Sequence, residues 1–451
     1  MSVLRIKKSD LIKLSIANVG NMLCYMVYFF QMPAFYKENV FQISLSEVGL
    51  LGLLDTISFS LITIPFAISA LVFIFAGYLS DKTRTRFGRR RPFLLLVIPS
   101  AICYILLGLP PNVLIPMGFP INFILLLIFG TLYACLYRMV VCAYTALYLD
   151  LTNPKERMAS SISLNLFGMI GTIGAFIIPV FVENITSYLP ITLTIGGLYL
   201  SLVLFAFFFG PKEDLDKIRE LDKQVAKTPT FFQSLKDSLK DKNFKFYLFA
   251  ALLLVLAYSM MTSVFIDFFN YKQSFIPIEF YQLFFVLVPT AIFAFWFYNK
   301  LSKKKTRIGS YKFGLKVGFI IQPFLIFLAV IGNPTSMMIQ LFIVFAILLF
   351  VLLAVLSFQN AILMDITPPN KEATYTGIFL FISVVGMPIA SFLVGGINDI
   401  FRNAPSILNF WIYRFGDYPG HDFAYALMIL ISSLFYFLGY LLLRKVKYKE
   451  E

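Results

Sequence analysis

Residues 77–92 read GYLSDKTRTRFGRRRP and stand between two long apolar stretches. One acid, Asp81, and six bases, Lys82, Arg84, Arg86, Arg89, Arg90 and Arg91, crowd into this segment. A helix that descends to Ser80 must turn here and leave again from Pro92. Proline suits the first turn of the outgoing helix, where a missing N–H costs nothing, and Gly88 permits a tight bend. Short loops this rich in Lys and Arg stay on the cytoplasmic side of a membrane. The hairpin therefore orients the spans on either side of it.

The rest of the chain agrees. Of 451 residues, 59% are hydrophobic and only 14% charged, and the mean hydropathy is +0.81. The charges cluster between apolar runs too long for buried strands, many reaching the roughly 20 residues that cross a bilayer. Twelve spans are expected, near 11–34, 48–79, 92–109, 120–148, 160–182 and 190–209, then 246–270, 278–299, 312–331, 337–364, 374–398 and 423–443. With the amino terminus inside, 32 of the 38 Lys and Arg fall in cytoplasmic segments, four in external ones, and Arg138 and Lys316 within spans. The net charge of +14 thus reads as positive-inside topology, with attraction to anionic lipid, and implies no nucleic-acid partner. A multi-pass protein of the cell membrane follows, both termini cytoplasmic.

Other classes are poorly supported. Cys24, Cys103, Cys135 and Cys142 lie inside apolar spans without a CxxC pair, and His421 is the only histidine. No metal site, disulfide framework or cofactor is implied. No serine–histidine arrangement or phosphate loop suggests an enzyme, so no catalytic residue is assigned. The start, MSVLRIKKSD, leads into a span too long for a signal peptide's apolar region.

The spans fall into two halves, 1–210 and 246–451, joined by a cytoplasmic linker, 211–245, whose FFQSLKDSLK stretch is amphipathic. Thr85-Arg86-Phe87-Gly88 recurs as Thr306-Arg307-Ile308-Gly309, 221 residues on, with Ser302 in the place of Asp81. Asp150, after span four, recurs as Asp365 after span ten, 215 residues on. A duplicated six-helix unit explains both, and parallel repeats are one of the architectures of secondary transporters.

The segment DKTRTRFGRRRPF resembles the loop between helices two and three of the major facilitator superfamily. It is most similar to the branch holding plant sucrose–proton symporters and bacterial glycoside–pentoside–hexuronide symporters. That resemblance implies an all-α membrane protein of the major facilitator fold, two six-helix bundles around a central cavity. It also implies that Asp81, Arg84, Arg86, Gly88, Arg89 and Arg90, joined by Asp150 and Arg157, gate the cytoplasmic side. In the melibiose-type members two acids on helix two bind sodium. Phe73 and Ser69 occupy those positions here, so that site is absent.

A transporter of this kind binds its solute where inner helices meet. Arg138, deep in span four, costs about 2.5–3.5 kcal/mol on insertion scales and needs a reason to be there. It is expected either to bind a solute hydroxyl, a solute carboxylate or a coupling carboxylate, or to be paired structurally. Asn21, Tyr25 and Tyr28 share one face of span one, and Tyr137 borders Arg138. With Asn165, Tyr258, Thr262, Gln359 and Asn360 they make up the expected substrate site. Asp55 and Asp267 are the candidate proton-coupling acids; Glu183 reads better as an interfacial acid. Gly168, Gly171 and Gly174 should let span five pack closely.

Three functions fit these residues. The first is a monomeric, proton-coupled sugar or glycoside symporter. The second is an organic-anion carrier that anchors a carboxylate on Arg138. The third is a non-transporting membrane sensor or scaffold, weakened by the lack of a soluble output module.

Overall fold

The computed structural model describes residues 7–41, 43, 46, 54–152, 156–177, 188–213, 231–273, 284–330, 334–368, 372–402 and 419–447. Regular structure among them is helical. The chain opens with α1 (Lys8–Ser15) and α2 (Ala17–Met26), then a π-helical turn (Val27–Gln31), α3 (Met32–Tyr36) and a second such turn (Lys37–Phe41). There follow α4 (Leu54–Lys82), α5 (Arg91–Leu94), α6 (Val97–Leu106), α7 (Pro111–Leu114), α8 (Phe119–Leu151), α9 (Arg157–Ile177) and α10 (Leu189–Phe209). Then come α11 (Phe231–Lys240), α12 (Lys242–Gln273), α13 (Phe284–Lys304), α14 (Arg307–Val330), α15 (Pro334–Ile366), α16 (Glu372–Arg402) and α17 (Pro419–Leu443).

Among the described residues nine helices are long and apolar enough to cross a membrane. The count is ten when Arg91–Leu106 and Pro111–Met117, bent by 77°, form one span. Two more helices, α14 and α16, run 24 and 31 residues, so the order follows the expected spans. The first helical run does not stop near residue 34. Val40 and Phe41 are fully buried, and their burial carries the polar Lys37–Asn39 stretch into a helical turn. The 399–422 loop, expected to be external, and Glu183 lie largely or wholly outside the described residues.

The apolar surface is arranged for lipid. Along α4, Ile64, Ile68, Leu71, Phe75 and Leu79 form one exposed stripe, and Ile121, Ile124, Ile128 and Leu132 do the same on α8. Continuous exposed apolar faces of this extent suit a hydrocarbon solvent and not water.

Contacts divide the chain into two compact units: Met1–Lys236 with Thr367–Phe381, and Asp237–Ile366 with Ile382–Glu451. In the first unit α8 packs against α4 and α6, and α10 against α2 and α6, while α9 packs against α2. In the second, α15 packs against α13 and α14, and α17 against α12 and α14. Span four's neighbours in one unit thus correspond to span ten's in the other, and likewise six to twelve. The duplication read from two short motifs is present in the packing.

The α9–α2 contact rests on missing side chains. A Cβ at Gly171 would collide with the carbonyl oxygen of Val19, and one at Gly168 would lie 2.6 Å from Asn18 Nδ2. Asn18 Nδ2 instead donates to the Leu164 carbonyl at 2.7 Å. The core of this unit is built of phenols: Tyr25, Tyr28, Tyr36, Tyr104, Tyr133, Tyr137, Tyr144, Tyr148 and Tyr199 are all buried.

Candidate functional site

Two clusters in the first unit hold the residues that carry chemistry. The first is the hairpin. Thr85 and Gly88 close its turn, the Gly88 N–H donating to the Thr85 carbonyl at 3.0 Å and the Thr85 hydroxyl to the Gly88 carbonyl at 2.7 Å. Gly88 has φ +105°, a conformation that only glycine adopts readily. This turn delivers Arg89 and Arg90, both buried, to the end of α8. Arg89 holds Asp150 with two bonds, Nη2 to Oδ1 at 2.7 Å and Nε to Oδ2 at 3.1 Å. Arg90 adds Nε to Oδ2 at 2.9 Å, and its Nη1 lies 2.7 Å from Asp81 Oδ1.

Asp150 shows the balance of forces. Burial pushes its carboxyl pKa up, but the guanidinium groups of Arg90 and Arg89 outweigh that and hold it below its ordinary value. Asp81 carries the cluster further. Its Oδ2 accepts the backbone N–H and the hydroxyl of Thr374, each at 2.8 Å, near the N-terminus of α16 where negative charge is favoured. A Cβ at Gly377 would collide with the Phe73 carbonyl, so this part of α16 lies directly against α4. Arg84 and Arg86 are exposed. Arg84 donates to the Asp81 and Thr83 carbonyls at 2.6 and 2.9 Å, and Arg86 lies over the Phe87 ring at 4.8 Å. Arg157, half-buried, begins α9.

The second unit repeats the pairing. Arg307 Nη1 lies 2.5 and 2.6 Å from the two oxygens of Asp365.

The second cluster surrounds Arg138, which is 5% exposed. Its guanidinium carbon lies over four rings: Phe66 at 4.6 Å, Phe73 at 5.0 Å, Tyr25 at 5.6 Å and Tyr137 at 5.7 Å. Such contacts contribute about 0.5–2 kcal/mol each, enough together to offset an insertion cost of about 2.5–3.5 kcal/mol. They stabilise the charge without neutralising it. Nε and Nη2 are buried with no hydrogen-bond partner, and among the described residues no carboxylate pairs with Arg138. The other cation within a span, Lys316, is likewise held by a ring, with Nζ 5.5 Å from the Tyr440 centroid.

The remaining expected site residues divide by position. Asn21, fully buried, has neither side-chain atom hydrogen-bonded, and its carbonyl accepts the Tyr137 hydroxyl at 3.1 Å. The Tyr28 hydroxyl donates to the Leu61 carbonyl at 3.0 Å. The Tyr28 and Tyr137 hydroxyls are therefore engaged by backbone, and these residues offer ring surface. Asn165 donates within its own helix, to the Ser161 carbonyl at 2.8 Å. In the second unit Tyr258 and Asn360 are half-buried, and Gln359 is buried with Nε2 unpartnered. Asp55, Thr262 and Asp267 fall on described helices, but their side chains lie outside the described residues.

The profile of the Major Facilitator Superfamily matches residues 14–391. The chain belongs to that superfamily. It is a multi-pass membrane protein and a transporter rather than an enzyme. Among solved structures, this superfamily member is similar to a bacterial homologue of the iron transporter ferroportin in an outward-facing state. The TM-score is 0.67 at 14% identity, over 98% of this chain and 99% of that one. It is also similar to the human organic anion transporter MFSD10 (TETRAN), with TM-score 0.63 at 13% identity over 97% and 100% of the two chains. At these identities the likenesses carry the fold alone. Comparison with curated protein sequences finds no match.

Three features escaped sequence reasoning. Phe66 is not singled out and Phe73 only as standing in the place of an acid, since nothing in a linear apolar run marks which rings face an arginine. Glu213 reads as one of many charges in the linker, yet it is buried. The Ser15 hydroxyl lies 2.7 Å from that of Ser163 and accepts from Tyr148 at 2.8 Å, tying α1, α8 and α9.

Proposed function

We propose that this superfamily member is a secondary active transporter of a small organic solute bearing a carboxylate, which binds at Arg138. The observation that supports this is the pair of buried, unpartnered N–H donors on a guanidinium that lies over four rings, hydrogen-bonds the Tyr25 side chain and pairs with no carboxylate among the described residues. A buried cation without a counter-charge is stabilised further by whatever anion reaches it. Phe73 adds to the argument: where the resembling sodium symporters carry an acid, this chain turns a ring toward Arg138. The Tyr25 and Tyr137 rings beside it suit a solute with an apolar ring face.

The hairpin resemblance favours a second reading, a neutral sugar or glycoside taken up with protons. Asn21, Asn165, Tyr258, Thr262, Gln359 and Asn360 would then supply neutral hydrogen-bonding groups. On either reading Asp55 and Asp267 are the groups assigned to proton coupling, and the hairpin cluster to gating in alternating access. Counterflow into proteoliposomes with sugar acids, other carboxylates and neutral sugars separates the two. Exchange of carboxylates alone supports the anion reading, and exchange of neutral sugars with equal or greater efficiency overturns it. Asp55→Asn with Asp267→Asn should abolish pH-driven accumulation while leaving counterflow; unchanged accumulation would remove both acids from the coupling path.

A further inference from the structure

Glu213 follows α10 at the start of the linker, 8% exposed, in a socket made by the hairpin. Its Oε2 accepts the backbone N–H groups of Arg90 at 3.0 Å and Arg91 at 3.4 Å. The socket exists because residue 88 has no side chain: a Cβ there would collide with this same oxygen. Its other oxygen, Oε1, is buried with no partner.

Three arginines surround the carboxylate, yet their guanidinium groups are engaged elsewhere. Arg89 is turned to Asp150, and Arg90 spans Asp150 and Asp81. Arg91 donates Nη2 to the Phe207 carbonyl and lies over the Phe207 ring at 5.2 Å. Glu213 receives backbone amides only, with the negative charge of Asp150 nearby. An ionised carboxylate is poorly served by such a socket.

We propose that Glu213 is a proton-operated clasp that fastens the end of α10 to the 85–91 hairpin, closed when its carboxyl is protonated and loosened when it ionises. Burial pushes the Glu213 carboxyl pKa up and Asp150 adds to this, against the opposing pull of the backbone amides and Arg90. A carboxyl raised in the clasped state binds its proton more tightly there than in water. The clasp is therefore fully stable below the ordinary carboxylate range and weakens as pH rises through the raised value. Through it the hairpin that joins Asp81 to Asp150 senses cytoplasmic pH, whichever solute is carried.

Hydrogen exchange of the 83–91 peptide tests this on the full chain in lipid nanodiscs, after correction for intrinsic exchange. Wild-type protection should fall by about tenfold between about pH 5 and about pH 8. Glu213→Gln, an uncharged isostere, should stay protected across the range, and Glu213→Ala should exchange fast throughout. A wild-type profile without pH dependence overturns the proposal. So does an equal slope in Glu213→Gln, which would assign the titration to another group.

Discussion

Asp81 and Thr374 stand 293 residues apart in the chain, and one oxygen of Asp81 accepts both the N–H and the hydroxyl of Thr374 at 2.8 Å. The other oxygen lies 2.7 Å from Nη1 of the buried Arg90. Asp81→Asn preserves an acceptor for Thr374 but withdraws the charge from Arg90. Breaking one side of a buried pair costs about 3–5 kcal/mol, whereas Thr374→Val removes one hydroxyl bond worth about 1 kcal/mol. Thermal unfolding in nanodiscs should rank the variants in that order. Because the two residues touch, the double variant should depart from additivity by more than about 0.5 kcal/mol; strict additivity would deny the contact.

Asp150 and Asp365 occupy corresponding places, one held by Arg89 and Arg90 and the other by Arg307. Asp150→Asn leaves two buried arginines beside each other, so it should destabilise more than Asp365→Asn, by about 1–2 kcal/mol. The pH dependence has a defined sign. The Asp150 pKa is depressed on folding, so its contribution is complete above the ordinary carboxylate pKa and disappears as pH falls through the lowered value. The difference in melting temperature between wild type and Asp150→Asn should therefore hold in mild acid and close only below the ordinary range.

The same two acids show what could be read from the linear chain. Span length gave the membrane-crossing helices, since it follows from solvation alone, and the acids at an offset of 215 residues marked the repeat correctly. The basic motif matched in a shifted register. At an offset of 221 it set Arg307 against Arg86, yet Arg86 is exposed and Arg307 takes the part of Arg89 and Arg90. Aligning α14 with α5, whose first residues are Arg307 and Arg91, gives 216, within one residue of the acids' 215. The second hairpin is shorter, and only a helix start reveals where its arginine points. Arg138 was legible as an anomaly, because a charge at that depth demands compensation. Its compensation was not, because four rings from α2, α4 and α8 converge only after folding.

Gly88 combines a positive φ with the space filled by Glu213. Gly88→Ala meets both obstacles, and backbone strain of this kind costs about 1–3 kcal/mol before any collision. The variant should melt lower and be cut faster by trypsin at the hairpin arginines. The second compact unit should be untouched, so exchange protection in α14 and α15 should match wild type. Uniform loss of protection across both units would mean that the turn supports the whole fold.

Arg138 offers the sharpest separation of binding from stability. Its charge is held by four rings, without a carboxylate among the described residues, and two of its nitrogens are unused. Arg138→Met keeps much of the volume and removes a buried charge with unsatisfied donors, so folding should be neutral or improved by about 1 kcal/mol. Arg138→Lys keeps the charge but loses the planar fork that grips a carboxylate. Uptake should fall at least about 100-fold in Arg138→Met, corresponding to roughly 2.7 kcal/mol, and by less in Arg138→Lys. A structural arginine would give the opposite pattern, with the melting temperature collapsing in Arg138→Met and any residual folded protein transporting normally. Radiolabelled uptake and thermal unfolding on the same preparations decide between them, because only a solute-binding guanidinium separates the two measurements.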